Sequence, residues 1–147
     1  MSSVLSEVNS YYVLHASAAS HPSGRTAVVL GPSDSGKTST LIALLERGLT
    51  MVCDDYAPLA HESGCVTALP VGVTVSRQTV SMFPWLEGAL NPICEFAHNG
   101  QTQWTFQPAD RFNVADPYSI YGNLDFFLLE PAFGQPSGID SCSTEES

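Results

Sequence analysis

Short apolar runs separated by polar turns make up the first half of the chain. Residues 10–19 and 26–30 are rich in β-forming side chains, so each predicts a strand, and residues 21–25 between them have the composition of a turn. Leucines then recur at helical spacing over 39–47, which predicts a helix that ends before a glycine. Residues 49–53 form another apolar run, which predicts a strand that stops at two consecutive acids.

The second half of the chain has the texture of strands and turns. Its predicted elements are a hairpin of residues 57–61 and 65–70, a strand at 71–76, a short helix over 77–90 that Pro84 interrupts, and strands at 102–106 and 124–129. The last of these strands is strongly apolar, so we expect it to be central in its sheet. Residues 1–133 are expected to form a single domain, and residues 134–147 a disordered acidic tail.

The glycine-rich segment between the strand at 26–30 and the helix at 39–47 reads GPSDSGKT. It matches the phosphate-binding loop G-x-x-x-x-G-K-[ST] at every fixed position, and a strand before it and a helix after it are the context that this motif requires. Backbone N–H groups and the helix N-terminus would cradle the phosphates of a nucleoside triphosphate. Lys37 would reach the β- and γ-phosphates, and the Thr38 hydroxyl would ligate Mg²⁺. The predicted nucleotide contacts are Gly31, Pro32, Ser33, Asp34, Ser35, Gly36, Lys37, Thr38 and Ser39.

Asp54 and Asp55 follow the apolar run at 49–53, 17 and 18 residues after Lys37. A nucleotide fold needs a carboxylate near the metal at the carboxyl end of a neighbouring strand. One aspartate could hold Mg²⁺ while the other accepts a proton from an attacking hydroxyl, because adjacent strand residues point to opposite faces. The alternative is that the pair caps a turn before Tyr56.

Composition narrows the range of partners. Among 147 residues there are 15 acids and 5 bases, so the net charge is −10, which argues against nucleic acid as a partner. Lys37 is the only lysine. There is neither an apolar run long enough for a membrane helix nor a secretory signal pattern, so we expect a cytoplasmic protein with no membrane partner.

Four motifs together resemble one known family. They are LHAS at 14–17, the phosphate loop at 31–38, Arg-Gly at 47–48 and Asp54-Asp55. The series is similar to the HPr kinase/phosphorylase-related family, whose nucleotide core resembles that of phosphoenolpyruvate carboxykinase. The resemblance implies an α/β fold with a P-loop core and a mixed β-sheet. It also implies ATP and Mg²⁺ as cofactors and phosphorylation of a serine hydroxyl on a protein, although some relatives resemble kinases of peptides or small molecules.

The same resemblance suggests roles for the catalytic residues. His15 would interact with the γ-phosphate or the catalytic aspartate, and Lys37 would stabilise the transferred phosphate. Asp54 would be the general base, and Asp55 would join Thr38 at the metal. Relatives of the family assemble, so a homo-oligomer is also allowed.

Two other functions stay open. The chain could be a non-catalytic nucleotide-binding module derived from such a kinase, or an unrelated P-loop ATPase. The family's glycine-rich signature loop has no counterpart in this sequence, which favours the binding module. His15, Lys37, Thr38 and the aspartate pair favour the kinase.

Overall fold

A computed structural model describes residues 11–32, 36–90, 95–98 and 101–130. The loop positions Ser33, Asp34 and Ser35 and the predicted tail at 134–147 lie outside the described residues. The division into a single domain over 1–133 and a tail stays a prediction.

Short strands dominate the described part of the chain. In chain order the strands are β1 (Tyr11–Leu14), β2 (Ala16–Ser20), β3 (Thr26–Leu30), β4 (Thr50–Cys53), β5 (Ala57–Ala60), β6 (Val66–Thr67), β7 (Val73–Ser76), β8 (Glu95–His98), β9 (Gln101–Phe106), β10 (Ile120–Tyr121) and β11 (Leu124–Leu128). The α-helices are α1 (Lys37–Glu46), α2 (Arg77–Met82) and α3 (Leu86–Ala89), and Pro108–Asp110 form one 3₁₀ turn.

The strands form three small sheets with different partners. The first sheet has the order β11-β3-β2-β4, in which β2 is antiparallel to both neighbours and β11 is parallel to β3. The second has the order β1-β5-β6-β10, and the third the order β7-β9-β8; their strands pair in antiparallel fashion. The first sheet carries the strand that leads into the phosphate loop.

Two apolar clusters lie on opposite faces of the first sheet. Ala19 and Met51 point to one face, where they pack with the leucines of α1 and with β7 and β9. Ala18 and Val52 are their neighbours in sequence and point to the other face, where they pack against the second sheet. Alternation along the strands therefore gives the sheet a core on each side.

Several local predictions are confirmed. The strand at 26–30 and the helix at 39–47 correspond to β3 and α1, and the hairpin at 57–70 forms by pairing of β5 with β6. Pro84 separates α2 from α3, as expected of a residue that has no N–H for helical bonding.

The predicted α/β fold class is wrong. The described residues form several small β-sheets with few helices, and they show no clear α/β P-loop core. Only α1 reaches ten residues among the described helices. The strand–loop–helix motif is a local feature, whereas the class depends on the segments after residue 56. Many of those segments carry valine, threonine and aromatic side chains, which favour β-strands over helices.

The strand predicted at 10–19 is two strands in the structure. β1 ends at Leu14 and belongs to the second sheet, whereas β2 begins at Ala16 and lies inside the first. His15 is the bend between them. Sequence propensity could not show this break, because the break depends on the pairing of β1 and β2 in different sheets.

The position predicted for the strand at 124–129 is also wrong. β11 lies at the edge of the first sheet, where Phe126, Phe127 and Leu128 are exposed. Its apolar composition suggested a central strand, but burial depends on which strands pair with it.

Candidate functional site

The connection from β3 to α1 positions the predicted phosphate-binding residues. Gly36 precedes the first helical residue and has φ 96°, a left-handed conformation that favours glycine. Its carbonyl accepts a hydrogen bond from Thr40 N at 2.9 Å, so the helix begins directly at this turn. Lys37 and Thr38 are consequently fixed on the first turn of α1, facing the end of β3.

Lys37 folds back over the start of the loop. Its Nζ donates to the carbonyl oxygens of Gly31 at 2.7 Å and Pro32 at 2.9 Å, and the side chain is buried. A buried ammonium needs acceptors, because an unpaired charge in the interior is costly. Phosphate oxygens are stronger acceptors for the same group. The lysine is therefore already held at the loop by contacts that an anionic ligand could replace.

Asp54 is a buried carboxylate at the end of β4. Ser17 Oγ donates to its Oδ1 at 2.6 Å, and Thr38 Oγ1 donates to the same atom at 3.4 Å. Burial raises the pKa of Asp54 to about 6, and the two hydroxyl donors counteract part of that effect. This contact joins the first turn of α1 to the carboxyl end of β4.

Asp55 faces a different environment from its neighbour. Its φ is 66°, and its backbone carbonyl accepts a hydrogen bond from Ala16 N at 3.1 Å. Its Oδ1 lies 3.8 Å from Nε2 of His15, and the two side chains are 48% and 54% exposed. The Tyr56 ring lies 6.2 Å from the imidazole. The bend at His15 and the turn at Asp55 thus form an open acid–histidine pair beside the buried Asp54.

The structure groups the predicted site residues into two sets. Lys37 and Thr38 lie on the first turn of α1 and Asp54 directly follows β4, whereas His15 and Asp55 form the exposed pair. Ser39, also predicted to contact nucleotide, has its hydroxyl 3.4 Å from that of Thr79. The predicted contacts Ser33, Asp34 and Ser35 lie outside the described residues.

Sequence reasoning did not assign a role to Ser17. It is fully buried on β2 and donates the shorter of the two hydroxyl hydrogen bonds to Asp54. The available signal was a hydroxyl between alanines, which requires a partner when it is buried. The partner itself lies 37 residues away and depends on the pairing of β2 with β4.

The donor set at Thr38 and Asp54 fits Mg²⁺. A hydroxyl and a carboxylate oxygen are hard ligands, and magnesium in nucleotide sites takes few protein ligands and completes its shell with water and phosphate oxygens. Within the described ranges, no group of three or more His, Cys, Asp or Glu side chains could hold a metal ion. Any magnesium at Thr38 would therefore depend on the nucleotide for part of its coordination.

Comparison with known proteins adds no family assignment. No protein-family model matches the chain, and no curated protein is significantly similar to it. Separately, none of the helices in the described ranges has the length and apolar character needed to span a membrane.

Proposed function

We propose that this protein binds ATP with Mg²⁺ at the β3–α1 loop and transfers the γ-phosphate to a hydroxyl group. The observation that carries the proposal is the contact between Thr38 on α1 and Asp54 on β4, beside Lys37. A lysine for the phosphates, a hydroxyl for the metal and a carboxylate near that hydroxyl are the parts that phosphoryl transfer requires. The proposal includes a cytoplasmic location, where ATP is available to the protein.

Lys37 and the helix N-terminus would bind the phosphates. When nucleotide enters, Nζ exchanges the carbonyls of Gly31 and Pro32 for oxygens of the β- and γ-phosphates. The exchange keeps the buried ammonium paired throughout, so little desolvation cost is added on binding. Thr38, with Asp54 beside it, would hold Mg²⁺, which would neutralise charge on the phosphates.

The two aspartates are given separate roles by their surroundings. Asp54 is within reach of Thr38, which favours it as the carboxylate on the metal side. Asp55 is open to solvent and close to His15, which favours it as the base that meets an incoming acceptor. This order is the reverse of the one that the family resemblance suggested.

The proposed reaction is an in-line displacement. The acceptor oxygen forms a bond to the γ-phosphorus, the bond from that phosphorus to the bridging oxygen breaks, and ADP leaves. The hydroxyl proton passes to the Asp55 carboxylate, which becomes neutral, and the neighbouring His15 holds that carboxyl in position. The acceptor is a hydroxyl, most simply serine, on a protein, peptide or small molecule.

Substitution of each aspartate tests the proposal. Asp55→Asn should lower phosphate transfer by about 100-fold or more while MgATP still binds, because only the base is lost. Asp54→Asn should instead weaken binding in the presence of Mg²⁺ and raise the magnesium requirement. Asp110→Asn, which changes an exposed acid on the 3₁₀ turn, is the matched control.

Calorimetric titration with ATP, with and without Mg²⁺, together with labelled phosphate transfer or background ATP hydrolysis, separates the outcomes. If both substitutions leave binding and turnover unchanged, the pair is a turn cap and the kinase proposal fails. If the parent protein binds MgATP but never turns it over, the protein is a nucleotide-binding module instead.

A further inference from the structure

Three exposed side chains lie at the edge of β1 near the proposed acceptor side of the site. We call Tyr12, Val13 and Tyr56 the β1 edge strip; their side chains are 56%, 63% and 62% exposed. Tyr12 stacks on His61 with ring centroids 3.8 Å apart, which fixes its ring on the surface. Tyr12 and Val13 are consecutive residues of β1 and point to opposite faces of the strand, so a strand added at this edge would contact both side chains.

The strip lies along a strand edge. Among the described residues, β1 pairs with β5 alone and is the outermost strand of the second sheet. The other side of β1 therefore presents backbone N–H and C=O groups to which a further strand could pair. The strand ends at Leu14, one residue before His15, so a chain lying along this edge would run directly to the His15–Asp55 pair.

The strands of the second sheet contain no lysine or arginine. The five bases of the whole chain are Arg25, Lys37, Arg47, Arg77 and Arg111, so none lies in the four strands of the second sheet or in the 48–76 segment that carries β5 and β6. Asp55 and Glu62, by contrast, flank β5 at its two ends. Carboxylates and exposed tyrosine faces both attract cations. The surface is thus complementary to a positively charged segment.

We propose that the β1 edge strip binds an extended cationic segment of the phosphate acceptor as an added strand beside β1. Backbone pairing supplies affinity, apolar side chains of the segment cover Val13, and its Lys or Arg residues contact the tyrosines and Asp55. A hydroxyl at the end of the segment then reaches Asp55. This last step rests on the proposed kinase function, whereas the docking of the segment does not.

A synthetic peptide probes the docking directly. The probe is a labelled nine-residue peptide that alternates arginine and valine around a central serine, and its affinity is measured by fluorescence anisotropy in 150 mM salt. Val13→Lys should weaken binding at least tenfold, because it places a like charge on the strip. Ile120→Lys is the matched control, since it adds the same charge to an exposed position on β10, the opposite edge of the same sheet.

A second probe distinguishes backbone pairing with β1 from electrostatic attraction alone. Methylation of alternate backbone nitrogens on the bonding edge of the peptide keeps its charge but removes donors, and it should weaken binding at least tenfold. Equal loss in Val13→Lys and Ile120→Lys, equal binding of the methylated peptide, or no binding to the parent protein would each overturn the docking proposal.

The two proposals can fail separately. Lys37→Ala should bind the peptide as the parent does but should not phosphorylate it. Peptide binding without phosphate transfer by the parent would leave the docking surface in place and reject the kinase. Equal rates of phosphate transfer to the peptide by Val13→Lys and the parent would reject the docking surface and keep the kinase.

Discussion

At the scale of single residues, the site depends on hydrogen bonds to groups that are buried and charged. Lys37 has two carbonyl acceptors, and Asp54 has two hydroxyl donors. Each group would be costly to bury without these partners. Substitutions at this scale therefore affect stability and binding together, and controls must separate the two.

Removing the Lys37 ammonium should weaken ATP binding. We expect Lys37→Ala to lower affinity more than tenfold, because a charge-assisted contact to phosphate is lost in a partly dry site. Arg47→Ala removes an exposed positive charge just after the opposite end of α1 and should change affinity less than twofold. Isothermal titration of all three proteins with MgATP checks this, and equal affinities for Lys37→Ala and the parent would contradict it.

Removing the Ser17 hydroxyl should destabilise the protein in a pH-dependent way. Its bond to Asp54 lowers the pKa of that carboxyl, so loss of the bond matters most when Asp54 is ionised. We expect Ser17→Ala to lower the unfolding free energy by about 1.5–3 kcal/mol at pH 7.5 and by less at pH 4.5. Urea denaturation measures both values, with Ser20→Ala at the end of the same strand as control. A loss that is identical at the two pH values would mean that only packing has changed.

Asp54 should make the nucleotide-free protein less stable as pH rises. Its pKa is raised from 3.8 to about 6 on folding, so the native state holds its proton more tightly than the unfolded chain. The stabilising contribution is complete below pH 4 and is lost as pH rises through about 6, an amount on the order of 3 kcal/mol. Asp54→Asn should remove this dependence, so the variant gains stability relative to the parent above pH 6.

Urea denaturation at several pH values between 4.5 and 7.5, without nucleotide or Mg²⁺, measures that difference. Other titrating groups are common to both proteins and cancel in the comparison. Asp110→Asn should run parallel to the parent across the range. A constant difference between Asp54→Asn and the parent would mean that the carboxyl has an ordinary pKa in the folded protein.

At the scale of elements, one aromatic group joins α1 to the rest of the molecule away from the phosphate loop. Trp85 Nε1 donates to Glu46 Oε1 at 2.6 Å, and its ring makes edge contacts with Phe106 and Phe112. The Arg111 guanidinium lies 4.1 Å from the same ring. These contacts fix the far end of the helix whose first turn carries Lys37.

Trp85→Ala should therefore destabilise the whole domain. We expect a loss of about 2–4 kcal/mol, because the ring leaves a cavity between α1, β9 and the segment after the 3₁₀ turn. Thermal unfolding followed by circular dichroism measures the loss, and Met82→Ala at an exposed position of α2 is the control. If Trp85→Ala unfolds like the parent protein, the end of α1 is held by its leucines alone.

Elements near the phosphate loop were predictable because their signals are local. The strand at 26–30, the helix after the loop and the break at Pro84 depend on residues a few positions apart. The division of residues 10–19 at His15 was not predictable, because it arises when β1 and β2 pair in different sheets. The contact between Ser17 and Asp54 was not predictable either, because it depends on the pairing of β2 with β4.

At the scale of the whole molecule, β11 leaves an apolar edge. Phe126 and Leu128 are exposed beside a backbone edge with no described partner strand, and the one acid of β11, Asp125, is paired with Arg25. Edges of this kind promote association between chains. A net charge of −10 opposes that association, so it should depend on ionic strength.

Phe126→Lys should reduce self-association at high salt. The new charge interrupts the apolar edge, and the melting temperature should change little because the side chain is exposed. Sedimentation velocity at 50 and 500 mM salt measures the association, with Tyr118→Lys, an exposed position outside the edge, as control. If both variants associate to the same extent, the added charge alone explains any change in self-association.

The sequence by itself determined the glycine-rich motif at 31–38, the helix that follows it and the presence of two acids after the next strand. These features depend on neighbouring residues, and the loop's glycines and lysine need only local backbone geometry. Tertiary structure decided the fold class, the edge position of β11 and the different surroundings of Asp54 and Asp55. Those depend on which strands pair and which groups leave water, and pairing joins residues far apart in the chain. Burial of one aspartate and exposure of the other therefore became visible only after the sheets had formed.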